Sequence, residues 1–382
     1  MRVCLLYDCL FPYTVGGAER WYRNVGERLV AAGHDVDYLT LRQWDGPRKL
    51  ELDGMRVVAV GPRMKLYSGP GRRRILPPLV YGAGVLWRLL RTGRRYDVVH
   101  TASFPYFSLL AAALLRPLHR YRLVVDWHEL WSLDYWRQYL GALGGRIGWA
   151  VQRMCARVPH RAFCFSRLHA RRLREEGYRG EPVVLEGEYA GPLEPEPPRP
   201  AEPVIVFAGR QIPEKRTPLV VLAAERARRD LPELRGEIYG DGPDRPEVLR
   251  LIDERGLGEV VQAPGFVDTE RLEEALARAL CLVLPSSREG YGMVVIEAAV
   301  KGTPSVLVAG PDNAAVELIE EGRNGFVAPS ASPDDVAAAI LRVHEGGQRL
   351  RESTSDWFRE NARRLSLENS LERVVESYSR EL

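Results

Sequence analysis

The sequence predicts an α/β protein of two domains, each a parallel sheet covered by helices. Three observations lead there. The chain has 382 residues, more than one hydrophobic core usually organises. Short apolar runs alternate with helix-length segments from end to end, which is the pattern of βα units. Residues 190–203, AGPLEPEPPRPAEP, hold six prolines, which exclude a helix or a central strand and make a stiff, extended connector. The domains expected are therefore residues 1–189 and 204–365, with 190–203 between them.

In chain order, the first half carries strand-like runs at 2–8, 35–41, 96–101, 122–128, 161–166 and 182–187. The second half carries them at 203–209, 236–242, 259–265, 280–286 and 304–310. They are nearly continuous in apolar residues, as suits sheets covered on both faces. No stretch of 18 apolar residues is free of charge, so no membrane-crossing helix is expected. The opening MRVCLLYDCLF is interrupted by Asp8 and suits a buried first strand better than a signal peptide. Five cysteines, scattered and without CxxC spacing, suggest reduced core thiols in a cytoplasmic protein.

Charge is uneven. Residues 1–200 hold 31 Lys+Arg against 19 Asp+Glu, a balance of +12, and residues 201–382 hold 23 against 32, a balance of −9. The basic half includes residues 69–97, where Arg72, Arg73 and Arg74 on one side and Arg91, Arg94 and Arg95 on the other flank Tyr81, Leu86, Trp87 and Leu90. Such a mixture suits a helix lying on an anionic membrane surface, and equally a helix that covers the sheet with its arginines in water. Nucleic acid is not expected as a partner, because no binding motif appears and the basic residues do not share one helix face.

Three glycine-containing loops follow strands. In the first, Gly16 and Gly17 precede a helix with Trp21, Val25 and Leu29 on one face. This is either a ligand-facing helix N-terminus or an ordinary tight turn. In the second, GRQIPEKR, Arg210 and Lys215 follow a buried strand, and Thr217-Pro218 looks like an N-cap followed by proline. Two cations at the carboxyl end of a strand suit a diphosphate, and spacing alone leaves a solvated loop equally open. The third, SREGYGMVVIEAA (287–299), orders strand, Glu289, Gly290-Tyr291-Gly292, helix and Glu297. That order is more specific than either carboxylate alone. A dinucleotide fingerprint is missing after the first strand, which disfavours a dehydrogenase.

Glu289 to Glu297 resembles the E-x7-E motif of the family 4 retaining glycosyltransferases, and the resemblance extends over essentially the whole chain. It is carried also by GGAER (16–20), GRQIPEKR, IYGDGPDRPEVL, GFVDTERLEEAL, ELIEEGRNGFVAP and the closing SLENSLERVVESYSREL. The resemblance implies the GT-B fold, two Rossmann-like domains facing each other across a cleft. It implies an N-terminal acceptor domain, a C-terminal domain for a nucleoside diphosphate sugar, and a last helix, 366–382, that returns to the first domain. Arg210 and Lys215 would neutralise the donor diphosphate and Glu297 would hold the ribose. Glu289 would meet hydroxyls of the transferred hexose. Backbone groups of Gly290, Tyr291, Gly292, Met293 and Val294 would face the donor, Phe266 and Val267 would border the base, and Gly16 and Gly17 would lie beside the phosphates.

No metal and no resident cofactor are implied. No pair of acids suits a double displacement, so same-face substitution with retained configuration is the expected mechanism. Two departures stand out. Relatives read His-x-His where this chain has His100 and Ala102, which leaves His100 and His128 as alternatives for the donor-side histidine. Glu186 and Glu188 occupy a segment where relatives have Asn-Gly-x-Asp. The acceptor expected is a lipid, lipid-linked glycan or polysaccharide precursor at the membrane. A soluble sugar phosphate, polyol or secondary metabolite is the alternative, and a non-catalytic nucleotide-sugar-binding subunit is the third reading.

Overall fold

The computed structural model describes residues 1–14, 16–66 and 73–379. The chain divides into two compact units, Met1–Glu186 with Glu368 onward, and Gly187–Leu367.

The first unit holds β1 (Arg2–Leu6), α1 (Gly17–Ala31), β2 (Asp35–Leu41), β3 (Lys49–Leu52), β4 (Met55–Gly61) and α2 (Leu76–Thr92). It continues with β5 (Val98–Ala102), α3 (Tyr106–His119), β6 (Arg122–Trp127), α4 (Leu133–Ala156), β7 (Arg161–Cys164), α5 (Arg167–Glu175) and β8 (Val183–Val184). The sheet order is β3-β4-β2-β1-β5-β6-β7-β8, parallel except for β3 against β4. Val3 pairs with Val36 on one side and Val98 on the other, so strand order reverses at β1. In open α/β sheets, ligands bind at the carboxyl ends of strands at such a reversal. The β3–β4 hairpin was not anticipated from the sequence. Its edge strand alternates exposed and half-buried residues, too polar to resemble the central strands.

The helices of this unit sort the aromatic and basic residues of 69–97. Tyr81 is fully buried and donates to the Leu39 carbonyl (2.8 Å). Trp87 and Leu90 are exposed and share a helical stripe with Leu76 and Leu79. Arg74, Arg91, Arg94 and Arg95 are exposed, and Arg91 lies 3.1 Å over the Trp87 ring. Arg73 departs from the expected solvent-facing flank. Its guanidinium turns inward onto the buried Asp8 carboxylate and over the Phe104 ring. Arg72 lies outside the described residues.

A buried polar network ties α3, α4 and α5. Gln152 Oε1 accepts from Tyr106 Oη (2.8 Å) and Trp136 Nε1 (3.1 Å), and its Nε2 donates to Glu176 (2.7 Å). Burial pushes the Glu176 carboxyl up to about 7, against the Gln152 bond and Arg153. A raised acid stabilises the fold below its unfolded pKa and loses that contribution as pH rises through the folded value. Glu176→Gln is therefore expected to flatten the stability slope between about pH 4.5 and 7. By pH 8 the variant should exceed the wild type by up to about 3 kcal/mol. Urea melts at pH 5 and pH 8 check this, and equal wild-type-to-variant differences at both would refute it.

The second unit holds β9 (Val204–Ala208), α6 (Thr217–Ala227), β10 (Arg235–Tyr239), α7 (Arg245–Glu254), β11 (Val261–Gly265) and α8 (Thr269–Arg278). Then come β12 (Cys281–Leu284), β13 (Arg288–Glu289), α9 (Met293–Val300), β14 (Ser305–Val308), β15 (Asp312–Asn313), β16 (Gly325–Ala328), α10 (Pro333–Leu365) and α11 (Leu367–Ser379), the last belonging to the first unit from Glu368. The sheet order β11-β10-β9-β12-β14-β16 is parallel throughout, and order reverses at β9. β13 and β15 form a small parallel pair of their own.

The proline-rich stretch belongs to the second unit and is not a free-standing connector. Glu196 N–H donates to the Val300 carbonyl (3.1 Å), Glu202 N–H to that of Arg278 (2.8 Å), and Lys301 Nζ meets Glu196 (2.6 Å). The boundary falls at Glu186–Gly187 instead. Tyr189 then pairs with Ser366 beside the returning chain. In the last helix Tyr378 is buried and Arg373 donates to the Val184 carbonyl (2.7 Å). Residues 380–382 lie outside the described residues. All five cysteines are free and buried. Among the described residues no helix is long and apolar enough to cross a membrane.

Candidate functional site

In the second unit, the reversal at β9 brings two loops together, residues 209–216 after β9 and 285–292 after β12. Backbone contact fixes the first. Gln211 N–H donates to the Asp241 carbonyl (2.9 Å) and its side chain to that of Gly240 (2.6 Å). Gly240 has φ +106°, and a Cβ there would lie 2.0 Å from the Gly209 oxygen, so only glycine fits. This explains the YGDG string. Thr217 does not act as the expected cap. Arg216 precedes the helix at φ +49° without a side-chain cap, and the Thr217 hydroxyl is enclosed without a partner.

The second loop is zipped onto the first. Ser287 donates through N–H (2.8 Å) and Oγ (3.1 Å) to the Glu214 carbonyl. Lys215 Nζ is bonded to Glu289 Oε1, which also accepts from Ser286 Oγ (2.8 Å). Both side chains of this pair are largely shielded from solvent. Beneath them Asn313, 1% exposed, donates to the carbonyls of Ser286 (3.2 Å) and Val308 (2.9 Å) and accepts from Ala315 N–H (3.2 Å). Gly292 enters α9 at φ +97°, where a Cβ would meet that of Ala315 at 2.5 Å. The first-turn N–H groups of Met293 and Val294 have no acceptor within the helix and suit an anion.

Around this centre, Arg210 is exposed, and among the described residues its side chain makes no hydrogen bond or ion pair. Glu297 is half-buried on α9, and its charge adds to the burial that pushes the Tyr189 phenol up to about 12. Gly290 and Tyr291 lie in the turn between β13 and α9, with Tyr291 half-buried. Phe266 is 87% exposed and Val267 half-buried, after β11.

In the first unit, Gly16 caps α1 in extended backbone, and a Cβ there would meet the Glu19 carboxylate at 2.5 Å. Gly17 faces open space. Asp126, fully buried at the end of β6, collects its neighbours: Trp21 Nε1 donates to Oδ2 (2.7 Å) and His100 Nε2 lies 2.8 Å from Oδ1, out of line for a regular hydrogen bond. Burial acts to raise its carboxyl, but His100, His128 and Trp21 together hold it below the usual carboxylate range.

His100 is corrected as a catalytic candidate. It is fully enclosed, with Nδ1 on Tyr378 Oη (2.5 Å) and Nε2 toward Asp126, and it presents no nitrogen to a substrate. His128 is partly exposed and stacks on Phe165 (4.3 Å), and burial pushes its imidazole down despite Asp126 and Glu129. No role was read from the sequence for Asp126, Asn313 or Tyr378, nor for Ser286 beyond its place at the end of a strand. Asp126 left a signal, a lone acid in the apolar run RLVVDW. Tyr378 left none, since its partner lies 278 residues away. Asn313→Ala would leave two buried carbonyls unpaired. It is expected to cost about 1–3 kcal/mol and to raise the donor KM more than it lowers kcat. Unchanged melts and kinetics would refute that role.

Among the described residues no three His, Cys, Asp or Glu side chains gather to hold a metal ion.

Two α/β units, the second carrying reversal-point loops with a cation, a carboxylate and a helix N-terminus, are the elements of a GT-B glycosyltransferase. Comparison agrees. The model of "Glycosyl transferases group 1" matches residues 194–365 and that of "Glycosyltransferase Family 4" matches residues 15–185. The chain belongs to the family 4 glycosyltransferases. It is 33% identical over 141 residues to the alpha-D-kanosaminyltransferase of Streptomyces kanamyceticus. That match covers 37% of this chain and 36% of the relative, little more than a third of its length. Among solved structures it is similar to sucrose-phosphate synthase from Thermosynechococcus elongatus (TM-score 0.78, 20% identity, 99% and 98% of the two chains). It is also similar to Anabaena HepE in complex with UDP (TM-score 0.75, 19% identity, 99% and 100%).

Proposed function

We propose that the chain is a retaining hexosyltransferase, using a nucleoside diphosphate sugar and a lipid, lipid-linked glycan or polysaccharide precursor as acceptor, and working from the cytoplasmic face of a membrane. The observation that carries the donor half is the Lys215–Glu289 pair at the β9 reversal, beside the N-terminus of α9. In this reading Lys215 and Arg210 take up the charge of the departing diphosphate, assisted by the Met293 and Val294 N–H groups rather than by a metal. Glu297 holds the ribose, Glu289 orients the hexose, and Phe266 and Val267 border the base. UDP bound to HepE supports a nucleoside diphosphate as donor half. The leaving phosphate accepts the acceptor's proton on the face it leaves.

Membrane placement rests on the exposed stripe Leu76, Leu79, Trp87 and Leu90 beside Arg91, Arg94 and Arg95. A soluble acceptor is the second reading, favoured by the names of the kanosaminyltransferase and the sucrose-phosphate synthase. A binding-only subunit is the third. Thermal midpoints with UDP, GDP, ADP and dTDP and their sugars identify the donor, and proton NMR of the product reads its anomeric configuration. An inverted product overturns the mechanism. Full binding without turnover across membrane and soluble acceptors favours the binding-only subunit.

A further inference from the structure

The first unit has a second concave site, at the opposite end of its sheet from His128 and the Gly16-Gly17 turn. A cavity of about 470 Å³ opens at the amino ends of β1, β2 and β4, under the β3–β4 hairpin and beside α2. Five cations line it: Arg2, Lys49, Arg56, Arg88 and Arg95. Two acids, Asp37 and Glu51, line it with them, and Asp35 lies against Arg2 just outside the lining.

Asp37 is already committed. Its Oδ1 accepts from Arg56 Nε (2.6 Å) and its Oδ2 from Tyr96 Oη (2.6 Å). Arg2 reaches Asp35 at 3.4 Å. Among the described residues the side chains of Lys49, Arg88 and Arg95 make no hydrogen bond or ion pair, and the Nε atoms of Arg2 and Arg88 are enclosed without an acceptor. Like charges gathered round one cavity repel one another, and a buried donor without an acceptor is costly. An anion relieves both, and forked guanidinium groups match phosphate oxygens.

We propose that this cavity is a phosphate-binding site, apart from the donor residues around Lys215. The phosphate is either that of a soluble phosphorylated compound or that of an anionic lipid headgroup. The headgroup source has a physical basis in α2, which carries Arg88 into the cavity and, one residue earlier, exposes Trp87.

Calorimetric titration of the full chain with inorganic phosphate and with pyrophosphate tests it, alongside sedimentation with phosphatidylglycerol–phosphatidylcholine vesicles. Lys49→Gln, on an exposed edge-strand position, and Arg88→Gln are each expected to weaken phosphate binding at least fivefold, while Lys215→Ala leaves it intact. If vesicle capture falls in the same two variants and free phosphate competes with it, the headgroup is the source. If capture is unchanged while phosphate binding falls, the source is soluble. Phosphate binding that is absent, that is equal in both variants and wild type, or that disappears only with Lys215→Ala overturns the proposal.

Discussion

Lys215→Ala is expected to lower kcat/KM for the nucleotide sugar by about 10²–10³-fold, the usual effect of removing one preorganised charge donor from a reacting centre. The companion variant should behave differently. The Lys215 ammonium is held by Glu289, which is itself steadied by Ser286. A diphosphate must draw Lys215 away from that carboxylate or share it. Glu289→Gln removes the competing charge, so affinity for the free nucleoside diphosphate should rise severalfold while kcat falls. The two halves of one ion pair thus separate: Lys215→Ala loses nucleotide affinity and Glu289→Gln gains it. Calorimetry with the nucleoside diphosphate and steady-state kinetics read the two effects. If both variants weaken nucleotide binding equally, the pair is a structural brace and not a donor contact.

The parts of this centre differed in how legible they were beforehand. Alternation of apolar runs and helices exposes the paired α/β class because buried parallel strands must be nearly uniformly apolar. Lys215 and Glu289 stood out because each follows such a strand directly. Their bond did not, because only the sheet order, β9 beside β12 rather than beside β11, makes positions 74 residues apart neighbours. Asn313 was invisible in part for the same reason, since one of its partners, Ser286, lies 27 residues away on the loop after β12, while the other, Val308, ends β14. The proline run misled about the boundary. Proline forbids ladder bonding by its own nitrogen, but Glu196 and Glu202 within the run still donate to the second unit. His100 misled differently, because it reads from the sequence as a strand-end residue but lies mid-strand in β5, and neither position says whether another helix will cover it. The closing helix does, through Tyr378.

That covered cluster sets the stability of the first unit, and Asp126→Ala is expected to lower it by about 3–5 kcal/mol. Asp126 is fully buried with Trp21 and His100 on its two oxygens, so truncation strands an indole N–H and removes the charge that faces two histidines. Its carboxyl is depressed, so the wild-type contribution is complete above the unfolded value near pH 4 and is lost as pH falls through the folded value. His128, also depressed, takes up a proton more readily when unfolded, so stability begins to fall once pH drops below about 6.5. Below about pH 4 the wild type should therefore lose a contribution that Asp126→Ala lacks, while between about pH 7 and 4.5 the His128 loss runs against the Glu176 gain. Seven of the eight tryptophans, all but Trp357, lie within residues 1–186, so their fluorescence follows this unit in the intact chain. Nucleotide binding by the second unit supplies an independent control. A large fluorescence-detected loss with nucleotide affinity retained places the damage at Asp126's cluster. A loss under 1 kcal/mol would mean that His100 and Trp21 find other partners, and that the closing helix does not depend on the Asp126 charge.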